Sequence, residues 1–344
     1  MSWKKNLFHQ AAQIIPVSLL KRSSRQNLCS SFQHIISNEP APHIRHLYAF
    51  KNTSQFESDL DYLLANFYPV TPEQVLAHYT KGAALPDNSF LLTFDDGLRE
   101  CTDVIAPILL KKGVPAAFFI ASAFLDNQTL FFKFKISLLI EALKTKHYPE
   151  ATLSEISSIL TIAETDKNSI TTICKYLLEV NYNTQGVLVP LAEILNVDFT
   201  DFLQQRKPFM SSQDVQSLLD KGFAVGAHSI DHPYYKIISL EEQLRQTLTS
   251  MNEVQQKFNL RYRLFAFPHL DASVSQRFFD EVERTAPIDL FFGAGNMKKE
   301  KMNRIVHRFN GERPELPAQK AYKSILFYSN ITSLTNSSFF LRKN

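Results

Sequence analysis

Glycine is scarce in this 344-residue chain, at 9 residues, tryptophan occurs once, as Trp3, and cysteine three times. With so little glycine and 28 phenylalanines, the chain reads as a tightly packed, aromatic-rich core with few flexible loops. Cys29, Cys101 and Cys174 have neither metal-type nor redox spacing. An odd, scattered set excludes a disulfide framework and fits a reducing compartment. Charge of one sign is also lacking: 37 basic against 34 acidic residues leave a formal +3. Nucleic-acid binding needs concentrated positive charge, so no nucleic-acid partner is expected. No apolar run is long enough to span a bilayer, and neither an internal repeat nor a low-complexity tract is present.

The first residues need separate treatment. Met1-Ser2-Trp3-Lys4-Lys5 is a basic start, but His9, Gln10, Gln13 and Pro16 interrupt the apolar stretch from Leu7 to Leu20. A signal peptide needs a cleaner apolar centre. Two readings stand: a basic amphipathic segment making peripheral contact with the inner membrane surface, or a helix packed on the body of the protein, which fits better. With the cysteines, this gives a cytoplasmic expectation, at most at the inner face of the membrane.

What is present is concentrated in two segments. Ser89-Phe90-Leu91-Leu92-Thr93-Phe94 is an apolar run that ends in Asp95-Asp96-Gly97. It reads as a buried strand delivering two acids to the rim of a sheet, with Gly97 allowing a turn. Neighbouring strand residues point to opposite faces, which leaves room for two roles, metal ligand and proton acceptor. The second segment has the same build. Phe223-Ala224-Val225-Gly226-Ala227 ends in His228-Ser229-Ile230-Asp231-His232, followed by Pro233. Proline disfavours helical geometry at His232, so the histidine pair belongs on a strand-end loop or tight turn. Asp96, His228 and His232 together offer two imidazoles and a carboxylate, a set suited to zinc with an open water position.

These two motifs, in this order, resemble those of the polysaccharide deacetylases of the NodB-homology type, carbohydrate esterase family four. Pro107-Ile108-Leu109 and Gly113 to Ile120 resemble the helix and strand after the first motif, and Phe265-Ala266-Phe267-Pro268 the third. The resemblance covers roughly residues 30–125 and 208–312. It implies an α/β fold, a distorted (β/α)7 barrel with its site at the strand C-termini. It implies a divalent metal, Zn2+ above all, on Asp96, His228 and His232, with Asp95 as the base. It places the oxyanion at the metal and at the backbone N–H of His269, just after Pro268. It assigns the amine-protonating acid to the apolar-x-His pattern Ile305-Val306-His307. A barrel-filling histidine at His307, with Arg304 on the same strand as the acid candidate, is the other reading. His34, in Phe32-Gln33-His34, resembles an element that opens many relatives' first strand, and is a candidate substrate contact. The implied activity is removal of N-acetyl groups from a carbohydrate, either a polysaccharide or a glycan precursor. Hydrolysis of other linear C–N amides and a non-catalytic carbohydrate-binding relative are the alternatives. Many relatives carry an arginine two residues before the motif-three proline to orient the base, and here that position is Ala266.

Apolar periodicity predicts strands at Ser31–Ile36, Phe90–Phe94, Ala116–Ala121, Phe223–Ala227, Leu264–Phe267, Leu290–Gly293 and Arg304–Phe309. The organisation expected is an N-terminal helical segment (1–30), the barrel (31–126 and 208–312), a helical insertion (127–207) and a C-terminal helix with tail (313–344). The insertion, with amphipathic stretches and no obvious strand, is either a cap beside the site or a dimerisation surface.

Overall fold

The β-branched and aromatic runs form short parallel strands. A computed structural model describes residues 10–23, 27–163, 169–296, 298–300, 304–334, 339–340 and 342. The strands are β1 (Leu28–Gln33), β2 (Tyr68–Pro69), β3 (Ser89–Phe94), β4 (Ala116–Ile120), β5 (Ala224–Ala227), β6 (Leu264–Ala266), β7 (Leu290–Gly293), β8 (Lys299–Glu300), β9 (Ile305–His307), β10 (Phe309–Asn310) and β11 (Phe339–Phe340). The main sheet runs β10-β1-β3-β4-β5-β6-β7-β9, with β2 alongside β3, while β8 and β11 pair separately. All the pairings are parallel.

The two edges of this sheet belong to one stretch of chain. β9 pairs with β7, and β10, beginning two residues after β9 ends, pairs with β1. Residues 305–310 are therefore a single stave that changes partner at Arg308. Counted this way, β1, β3, β4, β5, β6, β7 and β9/β10 make the expected seven-stave barrel. The first stave begins three residues earlier than its apolar pattern suggests, at Leu28.

Alternation along the staves separates two cores. Leu91, Ala117, Phe119, Ala224, Leu264, Ala266, Leu290, Phe292 and Val306 form one buried cluster. Their strand neighbours Phe90, Leu92, Phe118, Val225, Phe265, Phe291 and Ile305 join another, together with the surrounding helices. A period of two assigns the first set to the barrel interior and the second to the helix-covered outside. The interior is tight: a Cβ on Gly226 would lie 2.5 Å from the Leu264 carbonyl oxygen and 2.6 Å from the Phe119 ring. Glycine at that position lets β5 approach β6.

Helices Thr53–Asn66, Pro72–Lys81, Ala106–Lys112, Ser212–Asp220, Leu240–Lys257, Gln276–Thr285 and Ala318–Leu334 cover the barrel. Several start on side-chain caps, with reciprocal capping boxes at Asn52, Thr71 and Ser211. Residues 127–207 form helices Phe132–Thr145, Glu150–Ile159, Ile170–Glu179, Leu188–Ile194 and Phe199–Arg206. They pack round their own apolar centre, which includes Phe134, Leu139, Ile156, Ile173, Leu177 and Leu191. Near the N-terminus, Gln13 bonds to Lys320 and Lys323, and the Leu20 carbonyl accepts from Asn330. That segment lies on the C-terminal helix. No helix among the described residues is long and apolar enough to cross a membrane.

Candidate active site

The interior face ends in chemistry. Continuing the alternation of β3 places Thr93 and Asp95 inward, that of β5 places His228 inward, and that of β9/β10 places Arg308 inward. Asp96 follows Asp95 and would point away on a regular strand. Its φ of 71° turns the chain back, and Gly97 continues in the same region. Ser229, His232 and His269 also have positive φ. Twelve described non-glycine residues do, and four of them cluster here. Such conformations cost of order 1–3 kcal/mol each and persist only where the surroundings hold them.

Asp95 is clamped by Arg308. The guanidinium donates to both carboxylate oxygens, at 2.7 and 2.9 Å, and to Thr93 Oγ1 at 2.7 Å. Both side chains are buried, and the rings of Phe32, Phe119 and Phe292 surround the guanidinium at 5.1, 5.5 and 5.9 Å. Burial alone would favour the neutral acid, but Arg308, and then His228, hold the Asp95 carboxyl below the usual carboxylate range. Arg308 thus makes the arginine contact to Asp95 that Ala266 cannot make. Arg263 is engaged elsewhere, with Asn252 and Gln255.

Asp96 Oδ1 lies 3.4 Å from His228 Nε2 and 3.1 Å from His232 Nε2. All three residues are buried, and their ligand atoms lie within 4.8 Å of one another. Asp96 Oδ1 is shielded from water and accepts no conventional hydrogen bond from any described residue. Tetrahedral zinc with bonds of about 2.0–2.1 Å sets its ligand atoms about 3.3 Å apart, which matches these separations. The residues therefore fit a divalent ion. His228 Nδ1 lies 2.8 Å from the Ala266 carbonyl oxygen, the partner expected of a metal-facing imidazole. Ser229 Oγ accepts from the His232 N–H at 3.0 Å and stiffens the loop.

His34 also reaches this cavity. Its Nδ1 lies 2.7 Å from Glu312 Oε2, and Glu312 Oε1 accepts from the backbone N–H groups of His34 and Ile35. Burial works against a charged ring, yet Glu312, then Asp96, push the His34 pKa up to about 10. Pro268 is buried, while His269 stands exposed at the mouth, its ring 4.6 Å from that of His232 and 5.4 Å from Tyr234.

His307 does not reach the cavity. Its position on β9 has the parity of Ile305, the outer face, and its Nε2 lies 3.1 Å from Glu300 while Nδ1 is 3.8 Å from Asp271. Arg342 joins the same two acids. The residue that turns inward is the next one, Arg308. Arg304, the other candidate acid, pairs with Glu283 at the surface.

The cavity above these groups has a volume of about 550 Å3. Asp95, Asp96, His34, His228, His232 and Arg308 form its polar base, with Phe32, Phe267 and Ala294 beside them. Leu47 and Tyr48 wall one side, Tyr234, His269 and Leu270 another, and Phe131, Lys133 and Leu178 a third. The last three come from the helical region 127–207, which therefore supplies part of the cavity wall.

A closed parallel barrel with paired acids and two histidines at its strand ends defines a barrel hydrolase of the NodB type. The sequence matches the family described as polysaccharide deacetylase over residues 82–153 and 181–284, just over half its length. The protein belongs to the polysaccharide deacetylase family, hydrolases of acetamide C–N bonds. Solved structures agree on the fold. IcaB from Ammonifex degensii superposes with a TM-score of 0.53 at 17% identity, covering 88% of this chain and 98% of that one. The Streptococcus pyogenes deacetylase PplD, in complex with acetate, gives 0.53 at 12% identity, covering 87% and 97%. No curated protein matches the chain by sequence.

Proposed function

We propose that this protein hydrolyses the N-acetyl groups of a carbohydrate, a polysaccharide or a glycan precursor, with a divalent metal, Zn2+ above others, held by Asp96, His228 and His232. The observation that carries the reading is the convergence of these three buried ligand atoms beside an ionised, arginine-clamped Asp95. When bound, the ion lowers the pKa of a water to about 7 and polarises the amide carbonyl. Asp95 takes the proton from the attacking water; Arg308 keeps its carboxylate ionised and aimed inward. The backbone N–H of His269, just after Pro268 at the mouth, is the donor assigned to the developing oxyanion. The leaving nitrogen needs a proton. His34 is the donor this geometry favours over His307, because its ring lines the cavity and Glu312 stabilises its charged form. Water and the acetamide give acetate and a free amine.

The test is acetate release from N-acetylated oligosaccharides by zinc-loaded protein, with metal content measured alongside. Asp95→Asn is expected to keep the metal and lose about 100-fold or more in rate. Full release by that variant overturns the base role, and wild-type protein that holds no divalent ion after loading overturns the metal role.

A further inference from the structure

The two metal-facing histidines are supported differently. His228 has its second nitrogen on the Ala266 carbonyl. The second nitrogen of His232 is buried and forms no hydrogen bond with any described residue. His232 has positive φ, as does Ser229, so its loop needs holding from outside.

That support comes from Asp231, one residue earlier. Its carboxylate accepts from Tyr182 Oη at 2.8 and 3.1 Å and from Gln246 Nε2 at 2.7 Å. Gln246 Oε1 in turn accepts from the backbone N–H groups of Ile230 and Asp231. Gln246 belongs to a barrel helix, Leu240–Lys257, whereas Tyr182 belongs to the helical insertion. The insertion makes a second approach: the Phe131 ring meets the His232 ring edge-on at 4.8 Å. Burial and the Asp231 bond push the Tyr182 hydroxyl far up, so it remains a donor at any working pH.

We infer that the helical insertion is the outer support of the metal centre, with Tyr182, acting through Asp231, and Phe131, by direct packing, as positioning residues for His232. They replace the hydrogen bond that His228 has and His232 lacks. The inference rests on the metal reading above.

Cobalt titration of metal-free protein tests it, with affinity and the visible d–d spectrum as readouts. Tyr182→Phe and Phe131→Leu are each expected to weaken Co2+ binding by about 10-fold, the low end for losing an outer-shell partner, and to alter the spectrum. Tyr148→Phe is the control. It removes the bond from Tyr148 to the Leu195 carbonyl, inside the same insertion but away from the loop, and should leave cobalt affinity unchanged. If Tyr182→Phe and Phe131→Leu bind cobalt like wild type, or if Tyr148→Phe weakens binding as much as they do, the positioning role is wrong. Wild-type protein that binds no cobalt overturns the metal reading as well.

Discussion

Asp95 and Arg308 form a buried ion pair, and such pairs respond strongly to loss of one partner. Removing a partner costs about 3–5 kcal/mol because the other charge is left uncompensated. Arg308→Met should therefore destabilise the protein and also raise the Asp95 pKa, since Arg308 is the largest influence lowering it. The acid limb of the pH–rate profile is expected to move to higher pH, while Arg308→Lys, with one point charge in place of a fork, should recover part of the shift. His34 makes a different prediction. Loss of a proton donor matters most when the leaving group is poor. His34→Gln should slow acetamide hydrolysis by about 100-fold and leave release from an acetylated phenol nearly intact. Equal losses on both substrates would remove His34 from that role. His307→Gln, outside the cavity, should change thermal stability but not the ratio of the two rates.

At the scale of elements, the contact between the insertion and the loop after β1 carries a pH sensitivity of its own. His43, buried in the loop after β1, packs its ring 4.9 Å from Phe134 and 5.5 Å from Phe202. Burial, then Arg206, depress its pKa to about 3. The unfolded chain binds this proton below about pH 6.5 and the folded one does not, so stability is complete above 6.5 and falls as pH drops toward 3. The loss by pH 5 should be roughly 2 kcal/mol. Denaturant titrations at pH 7 and 5 measure it, and His43→Leu should flatten the difference. His34, with its pKa raised, acts with the opposite sign and in a separate window, from about 6.5 up to 10. Both strand-end motifs, the apolar staves and the insertion helices were legible in the sequence, because each rests on a local pattern. Arg308 was not. The apolar-x-His pattern drew attention to His307, and a one-residue change in position reverses the face of a strand. The signal available was an arginine inside an apolar run, whose partner lies 213 residues earlier. Tyr182 was equally hidden, since only the folded insertion brings it to Asp231.

The whole molecule should register a divalent ion bound at Asp96, His228 and His232 as stability. Three buried donors and a loop in left-handed conformations gain a common partner when an ion binds. A ligand at a hundredfold excess over its Kd stabilises by about 2.7 kcal/mol, several degrees in Tm for a chain of this size. Thermal melts are expected to drop after chelation and to recover on zinc addition. Identical melts in both states would argue against occupancy of Asp96, His228 and His232.

The stave that changes partner at Arg308 has a consequence for the order of assembly. Asp95 leaves the ribosome more than two hundred residues before the arginine that ionises and aims it. Until the 305–310 stretch has entered between β7 and β1, the barrel has a gap and the acid lacks its arginine partner. Closing the cylinder and clamping Asp95 are the same event. A nascent chain with both motifs already translated still lacks the Asp95–Arg308 clamp, which only the finished barrel holds.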